Sequence, residues 1–239
     1  MSLRYLIYFG LFIGICLPAS TQDKTVINET VYWFYYSQKV KLNDDWGLSG
    51  IFQYRHFSDR DQDYHLFATA SVNRKLKGGF SVGAGFTNLN INRPVDEQYV
   101  LVPELRPIQS LAYAGTQGKV KFNWRVMVEE RFFRKASQGE LVSGYTFQWR
   151  FRNKMLFMFP LTDQWSLEVS SEVMVNAGDA VSINVFDQHR GILQLHWDLA
   201  PFKIMTGYMH WFFQTAGNQH QNRHTFLLGL GHNLDLSKD

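Results

Sequence analysis

From about residue 25 to residue 236 the chain repeats one pattern: roughly ten residues alternating apolar or aromatic with polar or charged side chains, then a short polar break. Lys121-Phe122-Asn123-Trp124-Arg125-Val126-Met127-Val128-Glu129-Glu130-Arg131 is the clearest copy. A period of two sends successive side chains to opposite faces of a strand, so each run has one greasy face and one charged face. Runs of this kind cover 29–42, 46–57, 64–76, 80–90, 101–114, 119–134, 141–159, 165–176, 182–198, 202–214 and 222–236. Tight breaks such as Lys77-Gly78-Gly79 and Gly115-Thr116-Gln117-Gly118 alternate with longer polar ones around 58–63, 92–97, 135–140 and 216–221. Bacterial barrels of antiparallel strands have even strand numbers. Eleven runs therefore imply ten or twelve strands, with 23–28 favoured as the twelfth.

Energy decides which face is inside. In the run from residue 119, Val120, Phe122, Trp124, Val126 and Val128 share one face, and Asn123, Arg125, Met127, Glu129 and Arg131 the other. The next run opposes Tyr145, Phe147, Trp149 and Phe151 to Thr146, Gln148, Arg150 and Arg152. The one after opposes Trp165, Leu167, Val169, Val173 and Val175 to Glu168, Ser170, Glu172 and Asn176. A charge at the lipid midplane costs about 2–4 kcal/mol, so in a membrane the charged face must line the interior. Trp46, Tyr64, Tyr99, Trp165, Trp197, Trp211 and Phe212 near strand ends suit interfacial girdles. The expected fold class is all-β: a transmembrane β-barrel of about 10–12 antiparallel strands, preceded by a cleavable signal peptide.

The leader is read from residues 1–22: Arg4, the apolar stretch 6–17, and the small-residue exit Pro18-Ala19-Ser20-Thr21-Gln22. Its removal takes away Cys16, the single cysteine, and with it disulfide and thiolate chemistry. The rest, 23–239, reads as one barrel domain destined for the bacterial outer membrane. After the leader no run of eighteen apolar residues offers a transmembrane helix. Aromatic residues reach 16% and charged residues only 19%, and mean hydropathy is slightly negative. The net charge of +3 is spread among acids and aromatics, without the basic stripe that nucleic acid requires.

Interior charge is the sharpest chemical signal. Arg125, Glu129 and Arg131 lie one run from Arg150 and Arg152, which lie one run from Glu168 and Glu172, with Arg190 one further on. Strands stand about 4.8 Å apart, so a ladder of alternating charge is expected around the wall, its guanidinium forks matched to carboxylates. Glu104 and Arg106 share a face, while Pro103 and Pro107 share the other and call for local irregularity. The lumen network is thus Glu104, Arg106, Arg125, Glu129, Arg131, Arg150, Arg152, Glu168, Glu172, Gln188 and Arg190. No cofactor and no metal site is expected; His220-x-x-x-His224 straddles a loop and a strand start. Ser182, Asp187 and His189 offer a rim hydrolase only if a loop folds back.

The ordered series Glu104-x-Arg106-x-x-Gln109, Arg125-x-x-x-Glu129-x-Arg131, Arg150-x-Arg152, Glu172 with Asn176, and Gln188-x-Arg190, together with Trp33 and Arg55, resembles domain of unknown function 2490. The resemblance spans nearly the whole mature chain, and it implies an exported outer-membrane barrel of no established activity. His189 stands where the resemblance leads one to expect Asn. Three functions remain in order: a structural or envelope-associated barrel filled by Arg–Glu pairs, a narrow channel for small solutes, and a rim-active lipid hydrolase. The expected partners are outer-membrane lipid and the barrel assembly machinery, with a monomer as the default state.

Overall fold

The structure, a computed structural model, describes residues 25–58, 62–96, 98–181, 185–214 and 219–237. The leader with Cys16, and Ser182, lie outside them. The alternating runs become β1 (Thr25–Lys41), β2 (Trp46–Phe57), β3 (Gln62–Lys75), β4 (Phe80–Val95), β5 (Gln98–Gln117), β6 (Val120–Ser137), β7 (Glu140–Pro160), β8 (Trp165–Ala177), β9 (Phe186–Leu199), β10 (Phe202–Gln214) and β11 (Gln219–Asp235). Each pairs with its sequence neighbours, and β1 pairs with β11 to close a barrel. Among the described residues no helix is long and apolar enough to cross a membrane.

The expected even count is corrected to eleven. In an up-and-down ring with an odd number of strands the first and last run the same way, so the ring can close only through a parallel seam. Here β1 and β11 pair in parallel from Thr25↔Gln219 to Lys41↔Asp235, while the other neighbours are antiparallel. Residues 25–28, expected in a twelfth strand, are the first four residues of β1. The Tyr35 ring fills the space where a Cβ on its seam partner Gly229 would stand. A side chain there would push the ring off the seam.

Two expected loops are corrected as well. Pairing continues to Val95↔Gln98 and to Ser137↔Glu140, leaving two-residue turns. The second is made by Gln138 (φ 54°) and Gly139 (φ 76°), both in the left-handed region that a tight hairpin of matching twist demands. Polar strand tips had the composition of loops. The broad length asymmetry between the two ends shrinks to one long connection, 178–185 between β8 and β9. At Pro107 the β5–β6 ladder skips Arg106 and Pro107 without changing register, so the irregularity is a gap, not a bulge. Proline has no N–H to donate there.

The barrel is inside out relative to a water-soluble sheet. Leu193 is 51% exposed and Phe226 49%, whereas Glu104, Glu129, Glu172 and Arg131 are buried. Paired outward aromatics lie toward both ends: Trp165 stacked on Trp197 at 5.3 Å and Phe122 against Phe157 at 5.2 Å toward the β1–β2 turn, and Phe186 against Phe212 at 6.0 Å toward the other. Trp211 departs from its expected girdle place. It and Phe212 are sequence neighbours, so they occupy opposite faces, and Trp211 is the one inside, buried with Trp33, Met209 and Leu227.

Candidate functional site in the lumen

All eleven residues of the expected network project to the interior, but instead of circling the barrel nine of them form one wall on β5 to β8, while Gln188 and Arg190 on β9 stand between it and the opposite wall. Glu104 on β5 is gripped from both sides. Arg106 donates to it through Nε at 2.5 Å and Nη2 at 2.8 Å, and Arg131 through Nε at 2.5 Å and Nη2 at 3.2 Å. Glu129 on β6 collects Arg152 at 2.7 Å, Arg106 at 3.4 Å and Arg150 at 3.6 Å. Glu172 on β8 receives Arg152 at 2.7 and 2.8 Å, Arg125 at 3.1 Å and, more distantly, Arg190 at 3.9 Å. The result is one continuous chain, Glu104–Arg106–Glu129–Arg152–Glu172, laid across four strands. Register explains it: Glu129 faces Arg150 and Glu172 faces Arg190 across adjacent strands. Glu168 closes the wall, with Lys154 at 3.3 Å, His196 at 3.3 Å and the Ser170 hydroxyl at 2.9 Å.

Strict alternation missed Asp187. Counted back from the inward pair Gln188 and Arg190, it belongs outside. A bulge between Met174↔Gln188 and Val175↔Phe186 inserts Asp187 as an extra residue and turns it inward. There it accepts from Arg150 at 2.9 Å and from Asn176 at 3.1 Å, and it also pairs with Gln188. His189 stays outside, 2.9 Å from the Ser171 hydroxyl. Asp187 and His189 are therefore on opposite faces of the sheet. Gln109 also faces out, bonded to Glu130 at 3.1 Å.

The opposite wall, β1, β2 and β9 to β11, is built differently. The Trp33 and Trp211 rings lie 6.0 Å apart, tilted by 51°. Arg55 sits over Trp33 at 3.5 Å, Arg190 at 4.7 Å from Trp211 and 5.4 Å from Trp33, and Arg223 at 4.8 Å from Trp211 and 4.1 Å from Phe213. Each of these arginines also bonds the glutamine two residues before it: Gln53 at 2.8 Å, Gln188 at 3.1 Å and Gln221 at 3.0 Å. Residues two apart share a strand face. The Gln-x-Arg spacing recurs at all three, though it also occurs as Gln148-x-Arg150 on the other wall. Glu29 joins Arg223 at 2.7 Å. Nearer the β1–β2 turn, Gln194 donates to the Tyr35 hydroxyl at 2.8 Å.

The two walls leave a cavity of about 1760 Å³ between them, bordered from Ser137, Val181 and Gln221 toward one end to Lys39, Lys203 and Asn233 toward the other. Among the described residues bordering it are fourteen lysines and arginines against four acids. Among the described residues no group of three or more His, Cys, Asp or Glu is placed to hold a metal ion.

The sequence carrying both walls matches one family model, described as a protein of unknown function, DUF2490, over residues 30–223. The chain belongs to the DUF2490 family. No curated protein and no solved structure matches it. The matched segment holds Glu104, Arg106, Arg125, Glu129, Arg131, Arg150, Arg152, Glu168, Glu172, Gln188 and Arg190, and also Trp33, Arg55, Trp211 and Arg223, which frame the aromatic wall. For this DUF2490 barrel, then, the family model covers the architecture of the lumen while its description assigns no activity.

Proposed function

We propose that this protein is an outer-membrane β-barrel that conducts small anionic solutes through a narrow lumen. The observation that carries the reading is the cavity that survives beside the ion-paired wall, bordered by fourteen basic residues and four acidic ones among the described residues, an excess that remains when Glu104 and Glu29, paired with Arg106, Arg131 and Arg223 from outside that lining, are counted with the acids. Such an excess attracts anions and repels cations, because low-dielectric walls concentrate the field along the lumen. The membrane address is supported by the outward apolar face, the paired aromatics toward both ends and the exit signal of residues 1–22. The carboxylate-rich wall serves as the scaffold: bidentate pairs across four strands hold the lumen's cross-section fixed.

Purified protein in planar bilayers tests the function. Discrete unitary currents with anion preference are expected; steady silence from folded protein would return the barrel to a purely structural role. Membrane fractionation, with boiled and unboiled samples compared on detergent gels, tests the address. Identical migration of the two samples, or recovery in the soluble fraction, would remove the outer-membrane reading.

A further inference from the structure

A patch of polar side chains interrupts the apolar outer face. Among the exposed Val169, Val173 and Leu193, the outward positions Ser171, His189, Tyr208, His210 and His224 carry polar groups across β8 to β11. The Ser171 hydroxyl lies 2.9 Å from His189 Nε2. Register shows how the two meet. Ser171 stands directly across from Gly191, and the His189 ring, two residues along the same face, reaches over that glycine: its Cε1 lies 3.8 Å from where a Cβ on Gly191 would be. Gly191 therefore leaves a notch beside the serine. On the other flank of the notch stands His210, paired with Gly191 from β10. Its ring meets His224 edge-on at 6.1 Å, and the Tyr208 hydroxyl is 2.7 Å from His224 Nδ1. Other outward polar pairs, Gln109 with Glu130 and Trp124 with Asn153, join no aliphatic hydroxyl to a base.

We propose that Ser171 and His189 form a nucleophile–base pair that hydrolyses acyl ester bonds of membrane lipid. The substrate class follows from place, since the pair opens onto the face that lipid would cover. His189 is paired directly across from Phe212, which packs on Phe186 at 6.0 Å toward that end of the barrel, and aromatic girdles stand at the headgroup level, where lipid esters lie. The proposal rests on the outer-membrane address for its substrate and is independent of the conduit. In the tautomer with its proton on Nδ1, His189 accepts the hydroxyl proton at Nε2 as Ser171 Oγ bonds the ester carbonyl carbon. The tetrahedral adduct expels the lipid alkoxide, which takes that proton from the imidazolium and leaves as the hydroxyl of a lysolipid. Water then attacks the acyl-serine with His189 again as base, and breakdown returns the proton to Ser171 Oγ and releases the fatty acid. His210 stands one strand spacing, about 4.8 Å, from a carbon seated over Gly191 and offers a ring N–H to the oxyanion. Among the described residues no carboxylate bonds His189 Nδ1, so the pair is a dyad and its turnover is slow.

The test uses the detergent-purified full chain, with fatty-acid release from phosphatidylethanolamine in mixed micelles read by mass spectrometry, and labelling by a fluorophosphonate located by peptide mapping. Wild type is expected to release fatty acid and lysolipid in equal amounts and to carry the label on Ser171. Ser171→Ala and His189→Asn are each expected to lower release about a hundredfold or more, and the double variant no further than either alone, with unchanged gel migration so that a folding defect does not imitate the result. No release and no labelling in folded wild type, or release unchanged in either variant, overturns the dyad; labelling without lipid hydrolysis overturns the substrate class. Labelling of Ser171 that needs His189, in protein recovered from the soluble fraction, keeps the dyad and removes the membrane address; membrane-embedded protein in which Ser171 neither labels nor hydrolyses does the reverse.

Discussion

On the wall formed by β5 to β8, arginine meets carboxylate: Arg131 lies 2.5 Å from Glu104, and Arg152 lies 2.7 Å from both Glu129 and Glu172. Across the lumen arginine meets amide and indole: Arg55 bonds Gln53 at 2.8 Å and covers Trp33 at 3.5 Å, and Arg190 bonds Gln188 at 3.1 Å. Both arrangements fix the guanidinium group in space; the first does so with carboxylates alone, the second adds amide oxygens and ring faces, with Glu29 on Arg223 at 2.7 Å. A carboxylate holds and neutralises a guanidinium group, an amide or a ring face holds it without neutralising it, and the two walls mix these partners in different proportion. The carboxylate wall provides rigidity, because removing one member leaves buried like charges face to face.

The comparison breaks most sharply at Glu104. Glu104→Gln keeps the shape and leaves Arg106 and Arg131 confronting each other, and is expected to cost about 3–5 kcal/mol, read as a lowered urea midpoint for unfolding from lipid vesicles. Arg190→Gln, on the other wall, is expected to cost about 1–2 kcal/mol in the same assay, since it removes one amide bond and its cation–π contacts. Equal costs would mean that the two walls do not differ in kind. Gly229→Val, where the Tyr35 ring fills the seam, is expected to destabilise by about 1–3 kcal/mol, with partial recovery in combination with Tyr35→Ala. Full stability in the single variant would argue against the parallel closure. Asp187→Asn should fall near the lower end of the same range, roughly 1–2 kcal/mol, because Arg150 keeps Glu129 at 3.6 Å and Asn176 at 3.4 Å. Outside the walls, Asp44→Asn removes an exposed pair with Lys41, 2.9 Å apart, and should leave the unfolding midpoint unmoved.

The carboxylate wall was legible before the structure because alternation and strand order suffice to place Glu129 beside Arg150 and Glu172 beside Arg190. Period-two patterning carries facing directly, and neighbouring runs in an up-and-down sheet are neighbours in space. Three things escaped it. Asp187 needed the bulge, which shifts parity by one and leaves little trace beyond a run of consecutive polar residues, Asp187-Gln188-His189-Arg190. The seam needed the strand count, and an expectation drawn from even-numbered barrels hid the parallel pairing of β1 with β11. The aromatic wall needed the ring to close, because Trp33 and Trp211 lie at opposite ends of the chain and meet only across it. Glutamine two residues before arginine recurs on it at 53, 188 and 221, but the same spacing stands at 148 on the other wall and so did not single this one out. Without the closure nothing joined the three copies.

The anion preference proposed for the lumen comes from the excess of basic side chains that border it, Arg55 and Arg190 among them. The reversal potential across a KCl gradient in planar bilayers, for the wild-type barrel and for Arg55→Gln combined with Arg190→Gln, tests it most directly. The expected result is a potential of the sign for anion preference in the wild type, displaced toward zero in the double variant with unitary currents retained. A cation-selective wild type, or a double variant whose reversal potential matches the wild type, would contradict it.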